Sequence, residues 1–248
     1  MIDKNKSIKV YLVPMFFGGF EDILNNIPFG LKGILGELDG VVAENARTVK
    51  SRLQMMVDSF NKFGDMKVTI KENLKVLQWD EHSRKKDLDF IFSEIEKGGN
   101  WGIVSEAGMP CVADPGAEIV RKAHEKNIEV VPFVGPNSIL LALVASGLNG
   151  QNFCFHGYLS RDQKERINEL KKMEKMKGTQ IFIETPYRNE AVFKDILDNL
   201  NENTDVCVAL DLGMKSEFVK TLKMREWRRF KIDLKKRLGV FLVGGMFF

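Results

Sequence analysis

Three stretches of this chain place reactive or ligand-facing residue types where strands give way to turns. The apolar run 101–104 ends in Ser105-Glu106-Ala107-Gly108, and Ala113-Asp114-Pro115-Gly116 follows shortly after. The run 130–134 leads into Gly135-Pro136-Asn137-Ser138. Glycine and alanine at strand ends let a ligand approach the backbone closely, and open α/β sheets bind ligands outside the carboxyl ends of their strands. Any α/β protein needs tight turns there, so one would say little. Two in series, the first with an acidic residue in each part, point to a ligand site. The third stretch, Glu44-Asn45-Ala46-Arg47, closes the apolar run 38–43 and sets a carboxylate and a guanidinium within one helical turn.

The elements that must hold these residues alternate along the chain. Residues 8–13, 38–43, 101–104 and 128–132 read as strands. A helix follows Arg47 through Val49 and Leu53. Leu88, Ile91, Phe92 and Ile95 recur at the i, i+3, i+4, i+7 spacing of an amphipathic helix, and another helix spans 117–126. Strands separated by helices imply a mostly parallel sheet with helices packed on it. Residues 132–138, with two prolines and a glycine, read as a hinge between an N-terminal domain, 1–133, and a C-terminal domain, 134–248. Ser138 is the expected N-cap of the apolar helix 139–145, which Gly147 ends. Beyond it come strands at 153–159, 179–184, 206–210, 217–222 and 240–243, with helices at 161–176 and around 192–200, giving a second sheet of mixed direction. The final GVFLVGGMFF reads as a closing strand.

Composition narrows the function classes. The chain has 248 residues, 44% apolar and 29% charged, ordinary for a globular protein with a substantial core. No run approaches the length of a membrane span, and residues 1–13 hold no apolar signal-peptide core, so a cytoplasmic enzyme without membrane attachment is expected. Three scattered cysteines (Cys111, Cys154, Cys207) argue against a disulfide framework. Three distant histidines (His82, His124, His156) give no metal-ligand spacing, and no metal is expected. A net charge of +3 permits nucleic-acid contact without requiring it.

The order of motifs SEAGMPCVADPG, VVPFVGPNS, ASGLNGQNFCFHGYL and IFIETPYR resembles the tetrapyrrole-methylase-fold methyltransferases. Within them the chain looks most like the small-subunit rRNA (cytidine-2′-O) methyltransferases, in register over about residues 11–243. It departs from the family pattern at three places. Glu106 stands where the family's Ser-Asp-Ala-Gly has aspartate. Met15-Phe16-Phe17-Gly18-Gly19 replaces Pro-Ile-Gly-Asn, and Glu44-Asn45-Ala46-Arg47 replaces Glu-Asp-Thr-Arg. The resemblance implies two α/β domains with S-adenosylmethionine in the cleft between them, and a homodimer. Carried over by position, Gly18, Ser105, Glu106, Ala107, Gly108, Ala113, Asp114 and Ser138 would lie against the cofactor, with Thr185 and Leu210 facing them from ends of C-domain strands. The implied acceptor is a ribose 2′-OH of rRNA, free or within the small ribosomal subunit. Glu44 and Arg47 would then be the catalytic pair, the carboxylate taking the proton and the cation holding the adjacent phosphate.

Each assignment has a plainer counterpart. Asp114 before Pro115-Gly116 is equally a turn or helix-start aspartate. Glu44 and Arg47 are alternatively a surface ion pair of little energetic weight. The basic run 161–177 is offset by Asp162, Glu165, Glu169 and Glu174 and reads as a solvated helix rather than an RNA groove. Two further functions stay open: a methyltransferase of the same fold acting on a small acceptor such as a tetrapyrrole, and a cofactor-binding protein that has lost activity.

Overall fold

A computed structural model describes residues 8–63 and 67–244; the polar lead 1–7 and the end of the closing segment, 245–248, lie outside the described residues. The chain forms two compact units, Met1–Pro136 and Asn137–Phe248.

In the first unit, β1 (Ile8–Val13) is followed by a short 3-10 turn (Phe20–Asp22), α1 (Ile23–Asn26), α2 (Leu31–Glu37), β2 (Gly40–Ala43), α3 (Val49–Phe60), β3 (Lys75–Gln78), α4 (Lys85–Ile95), β4 (Gly99–Val104), α5 (Ala117–Glu125) and β5 (Glu129–Pro132). The five strands are all parallel, in the order β3-β2-β4-β1-β5. Strand alternation sends Val13, Val41, Ala43 and Val104 to one face, packed against α2 and α3. Val10, Val42, Trp101 and Ile103 go to the other, against α4 and α5. The expected strand at 38–43 is shorter at its start: Leu38 ends α2 by donating its N–H to Ile34, and the strand opens at Gly40. There a Cβ would meet the Trp101 ring at 2.4 Å, so only glycine lets β2 lie beside that indole.

The second unit contains α6 (Ser138–Ser146), β6 (Phe153–Tyr158), α7 (Gln163–Lys175), β7 (Thr179–Glu184), α8 (Asn189–Asn199), β8 (Asp205–Leu210), β9 (Phe218–Lys223), α9 (Met224–Trp227) and β10 (Gly239–Gly244). Its sheet is mixed, in the order β6-β7-β10-β8-β9, with only the β6–β7 pair parallel. Ile181, Cys207, Ala209 and Leu242 pack under α6, while Phe182, Val208, Leu210 and Phe241 face α7 and α8. The cap of α6 corrects the sequence expectation. Asn137, not Ser138, is the N-cap: its Oδ1 accepts from the N–H groups of Ile139 (3.0 Å) and Leu140 (3.1 Å). An amide oxygen reaches both orphan donors while Ser138 turns helical. Gly147 ends the helix as expected, in the left-handed region at φ 70°.

No helix among the described residues is long and apolar enough to cross a membrane.

Candidate active site on the parallel sheet

The site follows from strand order. The connection after β2 leads outward to β3, whereas the connection after β4 crosses back to β5 on the opposite side. Adjacent strands whose connections diverge leave a crevice outside their carboxyl ends, the usual ligand position in such sheets. Ala43 pairs with Val104 and with Gln78, so the three strands end level. Glu44, Ser105-Glu106 and Trp79-Asp80 therefore leave the sheet side by side. An open depression of about 490 Å³ results, lined by Glu44, Asn45, Arg47, Gln78, Asp80, Glu81, His82 and Glu106. A small recess beside it is lined by Glu44, Trp79, Asp114, Gly116 and apolar residues of β2 and β4.

The side chains there divide into those committed to the fold and those not. Asp80 is committed: it accepts from Gln78 Nε2 (2.6 Å), Ser83 Oγ (3.0 Å) and the His82 N–H (2.9 Å), and these bonds, the Gln78 one foremost, hold its carboxyl below the usual range. Asp114 accepts from the Gly116 N–H at 2.6 Å, which makes it the turn aspartate of the plainer reading. It also adjoins Glu44, and burial raises its pKa against the opposing backbone bonds. Glu44 and Arg47 form no ion pair with each other. Among the described residues the Glu44 carboxylate accepts no hydrogen bond, and the only bond of Arg47 is its backbone N–H to Asn45 Oδ1 (3.0 Å). Burial foremost, then the charges of Asp114, Glu106, Glu81 and Asp80, push the Glu44 pKa up. A carboxylate left unpaired with a raised pKa is a better proton acceptor than a paired one.

Behind the depression, residues 105–116 form a strained loop. Cys111 and Ala113 adopt φ of 67° and 54°, left-handed values rare for such residues. Ser105 is buried and donates its Oγ–H to the Gly108 carbonyl (2.9 Å). Glu106 takes a long contact of 3.4 Å from Thr48 Oγ1. Ala107 and Ala113 are exposed. Gly108 exchanges both backbone bonds with Met15 (2.9 and 2.8 Å), so its amide serves the loop and not a ligand. Gly18, at φ 72°, is exposed in the loop after β1, where Met15, Phe16 and Phe17 are buried in place of an open glycine turn. Ser138, Thr185 and Leu210 belong to the second unit: Ser138 is half-buried at the start of α6, Thr185 half-buried after β7, and Leu210 fully buried as the last residue of β8.

Gly108→Val tests the loop. An added Cβ would lie 3.0 Å from the Phe17 ring and 3.1 Å from the Pro136 carbonyl, at φ 76°. Strain and overpacking together are expected to cost about 3 kcal/mol. Urea denaturation should show the loss; a wild-type midpoint would mean that the loop yields freely.

One supporting residue escapes sequence reading. Arg52 donates from Nη2 to the Phe16 carbonyl (3.1 Å), and its guanidinium lies 4.3 Å over the Phe16 ring. Burial lowers its pKa, and nearby Glu106 opposes that shift. Its signal was a cation on the helix face carrying Val49, Leu53 and Met56. Among the described residues no cluster of three or more His, Cys, Asp or Glu could hold a metal.

Comparison with known proteins fits this architecture. The ribosomal RNA small subunit methyltransferase I of Buchnera aphidicola (Schizaphis graminum) is 30% identical over 87% of this chain and 69% of its own length. That of Bacillus subtilis is 31% identical over 84% of this chain and 65% of its own length. That of Escherichia coli O157:H7 is 30% identical over 97% and 79%. Among solved structures, the methyltransferase CobJ superposes with a TM-score of 0.60 at 13% identity, covering 97% of this chain and 94% of that one. A uroporphyrin-III-C-methyltransferase from Thermus thermophilus gives 0.56 at 16% identity, covering 95% and 94%. These likenesses show the fold. Residues 24–227 match the family described as Tetrapyrrole (Corrin/Porphyrin) Methylases, and the chain belongs to that family.

Proposed function

We propose that this protein is an S-adenosylmethionine-dependent methyltransferase acting in the cytoplasm on a ribose 2′-OH of small-subunit rRNA. The observation that carries the reading is the pair Glu44 and Arg47, both uncommitted, in one depression at the divergence point of a parallel sheet. Relatives about 30% identical over most of the chain are named rRNA small subunit methyltransferases, which supports RNA as the acceptor.

The residues present suit the cofactor. Its sulfonium and ammonium are cationic, and the loop 105–116 offers the carboxylates of Glu106 and Asp114 among small exposed residues. Ser105, Glu106, Ala107, Ala113 and Asp114 would hold it, together with Gly18. When bound, S-adenosylmethionine supplies a methyl group already activated by its sulfonium. The protein's part is then to position the acceptor and manage one proton. Glu44 takes the proton of the ribose hydroxyl as its oxygen becomes bonded to carbon. Arg47 holds the neighbouring phosphate, and Arg52 steadies the 15–17 loop behind them.

Mass spectrometry of rRNA nucleosides from cells with and without the gene tests the reading. Loss of one 2′-O-methylated nucleoside is expected; an unchanged set would overturn it. The chain is further proposed to act as a homodimer, so light scattering should give twice the 28.2 kDa chain mass. A monomer mass across a wide concentration range would contradict that.

A further inference from the structure

The depression is poorly suited to gripping RNA by itself. Glu44, Asp80, Glu81 and Glu106 line it against Arg47 and His82, a balance that repels a chain of phosphates. Charge is unevenly divided: residues 1–136 hold 18 Lys and Arg against 20 Asp and Glu, and residues 137–248 hold 19 against 14. Residues 223–237 alone carry eight cations and two carboxylates, so the rest of the chain is net negative.

The structure shows which of those eight are spent. Lys223 pairs with Asp205 (3.2 Å), and Arg225 donates to Asn203 Oδ1 (2.9 Å). Arg228 caps the end of α8 through the carbonyls of Leu197 and Leu200, and Arg237 pairs with Asp211 (2.6 Å). Arg229, Lys231, Lys235 and Lys236 are exposed, and their side-chain nitrogens have no partner among the described residues. Both carboxylates are occupied: Glu226 accepts from the Lys223 N–H and Asp233 from the Lys235 N–H. The segment is nonetheless fixed. Met224, Trp227 and Leu234 are buried, and Trp227 Nε1 donates to the Val206 carbonyl (2.8 Å). In the sequence Phe230 lies between Arg229 and Lys231; it is 37% exposed and held edge-on against Trp227 (centroids 5.4 Å, 87°), with Lys220 of the edge strand β9 5.4 Å from its ring centre.

We propose that Lys220, Arg229, Lys231, Lys235 and Lys236 form a docking surface for the backbone of single-stranded RNA, with Phe230 as a platform for one base. Unpaired cations on a fixed segment that also carries an exposed ring are the combination that single strands require. An anionic membrane is the less suitable partner: Phe230 and Leu238 are the only exposed apolar side chains from residue 223 to 238, too few for interfacial insertion. The basic run 161–177 has no aromatic residue and is offset by four carboxylates. This inference rests on the reading that the substrate is RNA.

The test compares wild type with the four-site variant Arg229→Ala, Lys231→Ala, Lys235→Ala, Lys236→Ala, using a fluorescent single-stranded fragment of small-subunit rRNA across a salt series. The slope of log affinity against log salt should fall by about 3, from four lost contacts at about 0.7 each. At low RNA concentration methylation should fall at least tenfold, with cofactor affinity, the urea midpoint and the rate at saturating RNA unchanged. Phe230→Ala should weaken binding about tenfold without altering the slope. A four-site variant with wild-type affinity and slope would overturn the proposal. So would one that loses binding to phosphatidylserine vesicles but keeps RNA. If the RNA reading itself fails, wild type puts no label into rRNA at any concentration; if only this surface fails, the variant labels rRNA as wild type does.

Discussion

Glu44→Gln is expected to cut methyl transfer by about 10²- to 10⁴-fold, the range for loss of a positioned general base, while leaving cofactor affinity unchanged. The amide keeps the shape and removes the proton acceptor. Burial and the charges of Asp114, Glu106, Glu81 and Asp80 raise the Glu44 pKa. The acid limb of the wild-type rate profile should therefore lie above the ordinary carboxylate range, with activity falling as pH drops through it. Stability should move the other way. A carboxyl whose pKa is raised by folding contributes stability below its unfolded pKa, and that contribution is lost as pH rises through the folded value. Glutamine carries no charge at any pH, so the variant should melt higher than wild type at neutral pH and equally at acid pH. Lower activity with higher stability separates a catalytic carboxylate from a structural one. A variant that is both active and unchanged in melting would show that Glu44 does neither.

Asp195→Ala should give the largest loss of stability. Arg166, on α7, donates from Nε (2.8 Å) and Nη2 (2.6 Å) to Asp195 Oδ2 on α8, and from Nη1 to the carbonyls of Ser160 and Arg161. Gln163 donates to Oδ1 at 2.8 Å. Both charged residues are buried. Removing the carboxylate strands a guanidinium in the core, at a cost of about 3–5 kcal/mol. The double variant Arg166→Met, Asp195→Leu should recover much of it, since two apolar residues replace the pair without an orphan charge. Chemical denaturation of the two variants beside wild type decides this. If the single variant is as stable as wild type, the bridge does not tie α7 to α8.

What the sequence revealed follows the strength of its periodic signals. The strand at 179–184 and the face Ile91, Phe92, Ile95 were legible because a buried element repeats its apolar residues at its own spacing. The turn at Gly147 was legible because a left-handed residue calls for glycine. By contrast, α1, α2 and β3 were not read. Leu31–Glu37 includes two glycines, and Lys75–Gln78 is a short edge strand with polar ends, so neither shows a clear period. Of the site, Glu44, Arg47 and Glu106 could be placed at one sheet edge from strand ends alone. That Glu44 and Arg47 stay unpaired depends on the folded arrangement of the loops, as do the turn bond of Asp114 to Gly116 and the engagement of Gly108 with Met15. The free cations of residues 223–237 were hidden for a related reason. A count of charges does not tell which are already paired.

The central claim is transfer to a ribose hydroxyl, and alkali reads it directly. Purified protein is incubated with methyl-labelled S-adenosylmethionine and small ribosomal subunits, and the recovered rRNA is hydrolysed with alkali. Methylation of a 2′-OH removes the nucleophile that cleaves the adjacent phosphodiester, so the label should appear in an alkali-resistant dinucleotide and vanish with Glu44→Gln. Label recovered in mononucleotides would mean that a base is the acceptor, and no label from intact, cofactor-binding protein would mean that rRNA is not the substrate.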